Sequence, residues 1–184
     1  MANRILRFLA RQHSGELTHE NLTNYLTIKN INNILDFLEK TRLIFHCEAY
    51  GGAAGSVKKS WKYYFASCSI RYALAKKIGH PLIDTTDFEG LLIENLIASN
   101  LFNLLNRDGS FSLYYDSNID FLIQNGLEYP IPIEVGRGVK KKSQIEYAID
   151  NFNSEYGIIV ANNTGSIEKV DNIIYVPLKT FALL

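Results

Sequence analysis

The hydrophobic pattern of the first eighty residues predicts three helices followed by a β-hairpin. Apolar residues recur at helical spacing in the helices, and they are enriched together with aromatic residues in the two strands. A glycine-rich loop, Gly51–Gly55, separates the two strands. The predicted helices are 3–12, 18–25 and 27–41, and the predicted strands are 43–50 and 57–66.

The pattern from residue 69 onward predicts a mixed α/β domain. A helix over 69–78 is followed by a polar link over 80–88, where we place a domain boundary, and then by a helix over 90–106 whose residues are almost all apolar. The order from that helix onward is helix, three strands, helix, two strands and helix, which is typical of helices packed on one mixed sheet. The later elements are strands over 111–116, 118–124 and 129–135, a helix from a Ser143-x-x-Glu146 capping box to 152, strands over 156–162 and 172–176, and a helix over 177–184.

Two carboxylates lie in apolar strands on either side of the Asn125-Gly126 turn signal. These are Asp120 and Glu134, and a carboxylate in such a setting is costly unless it is paired or binds a metal. A two-residue turn would place them on opposite faces, whereas a five-residue turn that pairs Gln124 with Pro130 would place them opposite one another, about 5 Å apart at Cβ. The longer turn would predict a divalent metal site. The alternative is one buried ion pair and one edge residue.

Charge separates the two halves of a chain whose net charge is zero. Residues 1–80 hold 12 Lys and Arg against 5 Asp and Glu, a balance of +7, and residues 81–184 hold 7 against 14, a balance of −7. A basic half favours nucleic acid as a partner and an acidic half favours metal or a basic surface, unless the two halves simply attract each other. We therefore divide the chain into domains over 1–80 and 81–184.

Three helices and a hairpin follow the winged-helix order, with the third helix as recognition helix and Gly51–Gly55 as the wing tip. Aromatic residues alternate with basic ones on the second hairpin strand, a combination suited to phosphate contact. The third helix offers few exposed basic residues, so that docking of a protein is the alternative. The lysines of this candidate nucleic-acid surface are Lys58, Lys59 and Lys62.

Several classes of protein are excluded by what the sequence lacks. No apolar run is long enough to span a bilayer, no signal peptide begins the chain, and Cys47 and Cys68 have neither metal-site nor disulfide-framework spacing. No Gly-x-x-x-x-Gly-Lys-[Ser/Thr] element is present, so that we expect no ATPase activity from this chain. A cytoplasmic protein is the expectation.

Four stretches together resemble a known family. They are Lys62-Tyr-Tyr-Phe65 with Ser69–Leu74, Gly90-Leu-Leu-Ile-Glu-Asn95, Asn118-Ile-Asp-Phe121 and Pro132-Ile-Glu-Val135. In their order they are similar to the C-terminal region of prokaryotic, often archaeal, AAA-type ATPases, in which a winged helix precedes a restriction-endonuclease-like PD-(D/E)xK domain. The resemblance implies an αβββαβ core with a mixed sheet, and an ATPase module normally in the same chain as a partner.

The resemblance also implies roles for individual residues. Glu94 matches the helix acid, Asp120 the metal-bridging aspartate and Glu134 the second acid, with Mg²⁺ or Mn²⁺ held by Asp120, Glu134 and the Val135 carbonyl. From physics alone, Glu94 is equally explained as a capped or ion-paired acid. The family's lysine would stand where this chain has Gly136. Three lysines in the following segment, Lys140, Lys141 and Lys142, either replace it and contact nucleic acid or form a solvated basic loop.

These inferences lead to two hypotheses of different classes. The first is a DNA-associated module of an AAA-type ATPase with a nuclease-like, metal-dependent phosphodiesterase site that has degenerated by loss of the lysine. The second is a non-catalytic scaffold that docks protein or DNA and retains Asp120 and Glu134 as relics.

Overall fold

The chain is mixed α/β, as the sequence predicted, and it divides into two compact units, Met1–Asn95 and Leu96–Leu184. The computed structural model describes residues 2–11, 16–17, 27–51, 61–81, 83, 85–136, 142–162 and 165–183. The division falls inside a helix, whereas the charge pattern and the polar link had suggested a boundary between residues 80 and 81.

The described residues of the first unit form helices packed on a small antiparallel sheet. Strand β3 is central, with β1 and β2 pairing on either side of it. The elements are α1 (Ala2–Arg11), β1 (Glu16–Leu17), α2 (Ile28–Lys40), β2 (Ile44–Ala49), β3 (Trp61–Phe65), α3 (Cys68–Lys77) and the beginning of α4 (Thr86–Asp108).

Helical spacing of apolar residues places one stripe of each N-terminal helix in a common core. Ile5 and Leu9 of α1 pack with Ile31 and Leu35 of α2, and the cluster includes Phe65 of β3. The predicted helix over 27–41 is thereby confirmed within one residue at each end. The predicted second helix over 18–25 lies outside the described residues.

The second unit is built on a six-stranded mixed sheet in the order β4-β5-β6-β7-β9-β8. Strands β4, β5 and β6 are antiparallel, β6, β7 and β9 are parallel, and β8 is antiparallel to β9. The elements are β4 (Ser112–Asp116), β5 (Ile119–Gln124), β6 (Ile131–Gly136), α5 (Lys142–Phe152), β7 (Gly157–Ala161), β8 (Glu168–Val170), β9 (Ile173–Pro177) and α6 (Leu178–Phe181), following the second part of α4.

Three details of the second unit differ from the sequence-based expectation. Helix α5 already includes Lys142, so that Ser143 lies within the helix and does not cap it. Strand β8 was not predicted, because its three residues are all exposed and show no hydrophobic alternation. Pro177 ends β9 and caps α6, which begins at Leu178. None of the described helices is long and apolar enough to cross a membrane.

Candidate functional site

The register of the β5–β6 hairpin places the two strand carboxylates opposite each other. Phe121 pairs with Ile133 and Ile123 pairs with Ile131, so that the same register sets Asp120 against Glu134. This is the register of the five-residue turn, and it puts both side chains on one face of the sheet. The longer-turn register is therefore observed, and the divalent metal site that it would allow stays a prediction.

The turn itself explains why the shorter loop at Asn125-Gly126 does not form. Glu128 donates its backbone N–H to the Asn125 carbonyl at 3.0 Å, and the Gln124 side chain donates to the Glu128 carbonyl at 2.8 Å. Gly126 takes the left-handed conformation, with φ of 55°, that such a turn requires. The glycine is thus used for a wide turn, within which Leu127 is fully exposed.

The two carboxylates have different surroundings. Glu134 is 1 % exposed, whereas Asp120 is partly exposed. The Val135 backbone N–H donates to Asp120 Oδ2 at 2.7 Å. Asp120 therefore has a structural role, because its side chain satisfies a backbone donor at the point where the ladder between β5 and β6 ends.

The position of the family's lysine is a buried glycine at the end of strand β6. Gly136 pairs with Ala161 of the parallel strand β7, and it carries no side chain that could bring a positive charge to the carboxylates. Lys140 and Lys141 lie outside the described residues. Lys142 opens helix α5 and contacts Asp171 at 3.0 Å and Glu146 at 3.4 Å.

Lys142 is thus already placed between two acids. The hydrogen bond from its ammonium group to Asp171 raises the pKa of Lys142, and Glu146 adds to the shift. All three side chains are exposed, and exposed ion pairs of this kind stabilise a protein very little. A contact between Lys142 and nucleic acid stays a prediction.

Glu94 interacts with two residues of the first unit, Tyr64 and Arg71. The Tyr64 hydroxyl donates to Glu94 Oε1 at 2.8 Å, and the Glu94 charge also acts on Arg71, a residue that is 2 % exposed. Burial lowers the pKa of Arg71, and the Glu94 carboxylate opposes that shift. The ion-paired interpretation of Glu94 therefore has support, and its role as a third acid beside Asp120 and Glu134 stays a prediction.

The candidate nucleic-acid surface of the first unit is described only in part. Lys62 is partly buried on β3, in register with Cys47 of β2 and next to the half-exposed Trp61. Lys58, Lys59 and most of the predicted wing tip lie outside the described residues. Alternation of side chains along β3 puts Lys62 on the face opposite Trp61 and Tyr63.

Sequence reasoning missed a histidine with two carboxylates in the first unit. His46 of β2 contacts Glu39 of α2 through Nδ1 and Glu48 through Nε2, and its ring stacks on Trp61. The signal was a pair of polar residues, His46 and Glu48, inside the otherwise apolar strand Ile44–Ala49. The i, i+2 spacing in the strand puts Glu48 on the same face as His46, whereas Glu39 and Trp61 lie on other elements, where no local spacing indicated them.

Within the described ranges, no group of three or more His, Cys, Asp or Glu side chains is arranged to hold a metal ion. The opposed pair in the second unit, Asp120 and Glu134, supplies two carboxylates. Two carboxylates, completed by water or phosphate oxygens, are a usual protein contribution to a Mg²⁺ site.

Comparisons with known proteins match the chain to proteins of unknown function. Residues 1–80 match the model of a domain of unknown function, DUF8612. The whole chain is 32% identical over 188 residues to Uncharacterized protein MJ1637 of Methanocaldococcus jannaschii, a match that covers 100% of this chain and 38% of the relative. No solved structure matches the chain significantly. The chain therefore spans less than half the length of the curated relative that it matches.

Proposed function

We propose that the chain is a DNA-associated module whose second unit binds a divalent cation between Asp120 and Glu134, in the manner of a metal-dependent phosphodiesterase. The observation that carries this proposal is the hairpin register that sets the two acids opposite each other, with Glu134 1 % exposed. Like charges directly opposed on neighbouring strands destabilise a sheet. A bound cation removes that repulsion and supports the burial of Glu134.

The donor set fits a hard cation such as Mg²⁺ or Mn²⁺. Both side chains offer carboxylate oxygens, which are the ligands that these cations prefer, and Asp120 Oδ2 also accepts from the Val135 backbone N–H. The Val135 carbonyl is the third donor that the family resemblance implies. When bound, the cation would neutralise phosphate charge and lower the pKa of a bound water.

The chain's own residues supply less than a full hydrolytic site. Asp120 would hold and orient the cation while anchored to Val135, and buried Glu134 would fix it from the next strand. At Gly136 no ammonium group is present to stabilise the developing charge on phosphate, a loss worth several kcal/mol in transition-state stabilisation. We therefore expect cation binding with slow or no cleavage of DNA.

The first unit would provide contact with DNA, and an ATPase module would act as partner. We interpret the helices and the hairpin of the first unit as a winged helix, in which Lys58, Lys59 and Lys62 would contact the phosphate backbone of DNA. The relative MJ1637 is more than twice as long as the matched region, which is consistent with a module that works beside other domains. We infer that the same cytoplasmic assembly would bring both units to DNA.

One observation favours the non-catalytic scaffold as second candidate. Asp120 already serves a backbone donor, and Gly136 stands in the lysine position. A former catalytic site would keep Asp120 for its structural contact alone, and it would have lost its lysine at Gly136. The scaffold therefore predicts the same fold without cation binding.

The experiment is a Mn²⁺ titration of thermal stability with matched variants. Mn²⁺ at about ten times its Kd should add about 1.4 kcal/mol to the free energy of unfolding, which raises Tm by roughly 3–6 °C. Asp120→Asn and Glu134→Gln should each abolish the rise. Glu128→Gln is the control, because Glu128 is an exposed carboxylate in the turn of the same hairpin. An equal rise in all four proteins, or none in the unsubstituted chain, would reject the cation site.

DNA contact is measured separately, by filter binding to duplex DNA at low salt and by nicking of supercoiled plasmid with Mn²⁺. We expect salt-dependent binding that Lys58→Gln and Lys59→Gln weaken together, and at most slow nicking that Glu134→Gln removes. Nicking at equal rate in Glu134→Gln would come from another site or a contaminant. Absence of binding at low salt would leave docking of protein as the role of the first unit.

A further inference from the structure

His46 occupies a position in the first unit where two carboxylates and an aromatic ring meet it. Its Nδ1 atom contacts Glu39 of α2, and its Nε2 atom lies 3.8 Å from Glu48 Oε1 on its own strand. Its ring stacks on Trp61 of β3, with ring centroids 4.1 Å apart and planes 9° from parallel. Every edge of the imidazole that can carry a proton therefore faces a carboxylate.

This arrangement joins three different elements. Glu39 belongs to α2, His46 to β2 and Trp61 to β3, and the backbone register pairs His46 with Tyr63 of β3. The neutral imidazole carries one N–H and can present it to only one carboxylate, whereas the imidazolium ion presents an N–H to each of the two. Protonation thus strengthens the tie between helix and hairpin and adds a cation–π contact with the indole.

We propose that His46 is a protonation-dependent clamp that holds helix α2 on the β2–β3 hairpin, tight when the imidazole is charged and weakened when it is neutral. The two carboxylates lie at different ring nitrogens, so that a single metal ion cannot take all three groups as ligands. The geometry therefore suits the binding of a proton by His46 and not the binding of a metal ion by all three groups. The clamp does not depend on the cation site or on DNA binding.

The carboxylates around the His46 ring both raise its pKa. Glu39 from α2 and Glu48 from β2 favour the imidazolium ion, and Tyr63 from β3 stays neutral because burial and the Glu39 charge raise its pKa. Lys62 is directed to the opposite face of β3, in register with Cys47. Burial of the ring opposes protonation, but the hydrogen bond and charge of Glu39, with those of Glu48, outweigh it and raise the pKa of His46 above 6.5.

The sign of the pH dependence follows from this raised pKa. The unfolded chain holds the His46 proton less tightly, so that the stabilisation is complete below about pH 6.5 and is lost as pH rises through the folded pKa. Acidification from pH 8 to pH 6 should therefore raise the Tm of the unsubstituted chain relative to His46→Gln. The reverse trend would contradict the clamp.

Trp61 makes the clamp directly observable, because it is the single tryptophan of the chain. An imidazolium ion stacked on indole quenches its fluorescence, so that titration of the full chain should give a sigmoid with a midpoint above pH 6.5. Glu39→Gln should lower that midpoint by at least about one pH unit, and His46→Gln should abolish the sigmoid. Asp36→Asn is the control, because it removes an exposed charge from the same helix at the Lys40 pair.

The outcomes separate the clamp from a merely structural histidine. An unchanged midpoint in Glu39→Gln, or a midpoint at or below 6.5 in the unsubstituted chain, would overturn the proposal. If His46→Gln fails to fold, the proposal is still tested by comparing the titration midpoints of Glu39→Gln and Asp36→Asn. A midpoint shifted equally by both variants would reduce the effect to long-range charge and would also overturn the clamp.

Discussion

Asn95 joins helix α4 to strand β3 through both polar groups of its amide. Its Oδ1 atom accepts from the Phe65 backbone N–H at 3.1 Å, and its Nδ2 atom donates to the Phe65 carbonyl at 2.8 Å. The side chain is fully buried, and Phe65 is 1 % exposed. The amide thus continues the hydrogen bonding of β3 as another strand would, although it belongs to a helix.

Replacement of this residue by alanine should cost several kcal/mol. In Asn95→Ala two buried backbone groups lose their partners, and each such loss costs about 1–3 kcal/mol. The higher helix propensity of alanine returns roughly 0.5 kcal/mol, which leaves a net loss of about 2–5 kcal/mol. That is a large part of the 5–15 kcal/mol of stability typical of a domain.

Urea unfolding followed by Trp61 fluorescence measures this loss within the first unit. Asn33→Ala is the matched control, because Asn33 is an exposed asparagine on helix α2 of the same unit. The control gains the same helix propensity and should change the free energy of unfolding by less than about 0.5 kcal/mol. If Asn95→Ala and Asn33→Ala unfold at the same urea concentration with equal slopes, the amide does not anchor the helix.

Two further predictions concern packing and thiol reactivity. Gly157→Ala should destabilise the second unit by about 1–3 kcal/mol, because the new Cβ atom would lie 2.7 Å from Ile145 Cγ1 and 3.1 Å from Ile149 Cδ1. Thermal melts should show that the double variant Gly157→Ala/Ile145→Ala recovers part of this stability. Equal stability of Gly157→Ala and the unsubstituted chain would contradict this prediction, because it would mean that α5 shifts away from the new Cβ atom without loss of stability. Cys47 should react with a thiol reagent far more slowly than Cys68, because it is 1 % exposed and burial raises its pKa, and equal rates in mass-spectrometric labelling would contradict its placement.

The sequence was informative where local periodicity and burial agree. Ile31, Leu35 and Leu38 predict α2, because residues spaced three or four apart lie on one face of a helix. For the β5–β6 hairpin, local signals left two registers open. The observed one pairs Phe121 with Ile133, both fully buried, so that the hydrophobic core decided the register and with it the face of both acids.

Long-range contacts were not predictable from spacing. The Tyr64 hydroxyl that binds Glu94 and the Phe65 backbone that binds Asn95 are each thirty residues away in sequence. Nothing in a nearly all-apolar helix distinguishes an acid that faces a tyrosine from one that faces a metal. The contact between His46 and Glu39 was missed because the two residues, although only seven apart in sequence, belong to different elements, α2 and β2.

Anomalous X-ray scattering from crystals grown with Mn²⁺ would locate a cation between Asp120 and Glu134. We expect a manganese peak within about 2.0–2.3 Å of one oxygen each of Asp120 and Glu134, and no such peak in crystals of Glu134→Gln. A map without density between the two carboxylates, at a Mn²⁺ concentration that saturates the titration of Tm, would contradict the cation site.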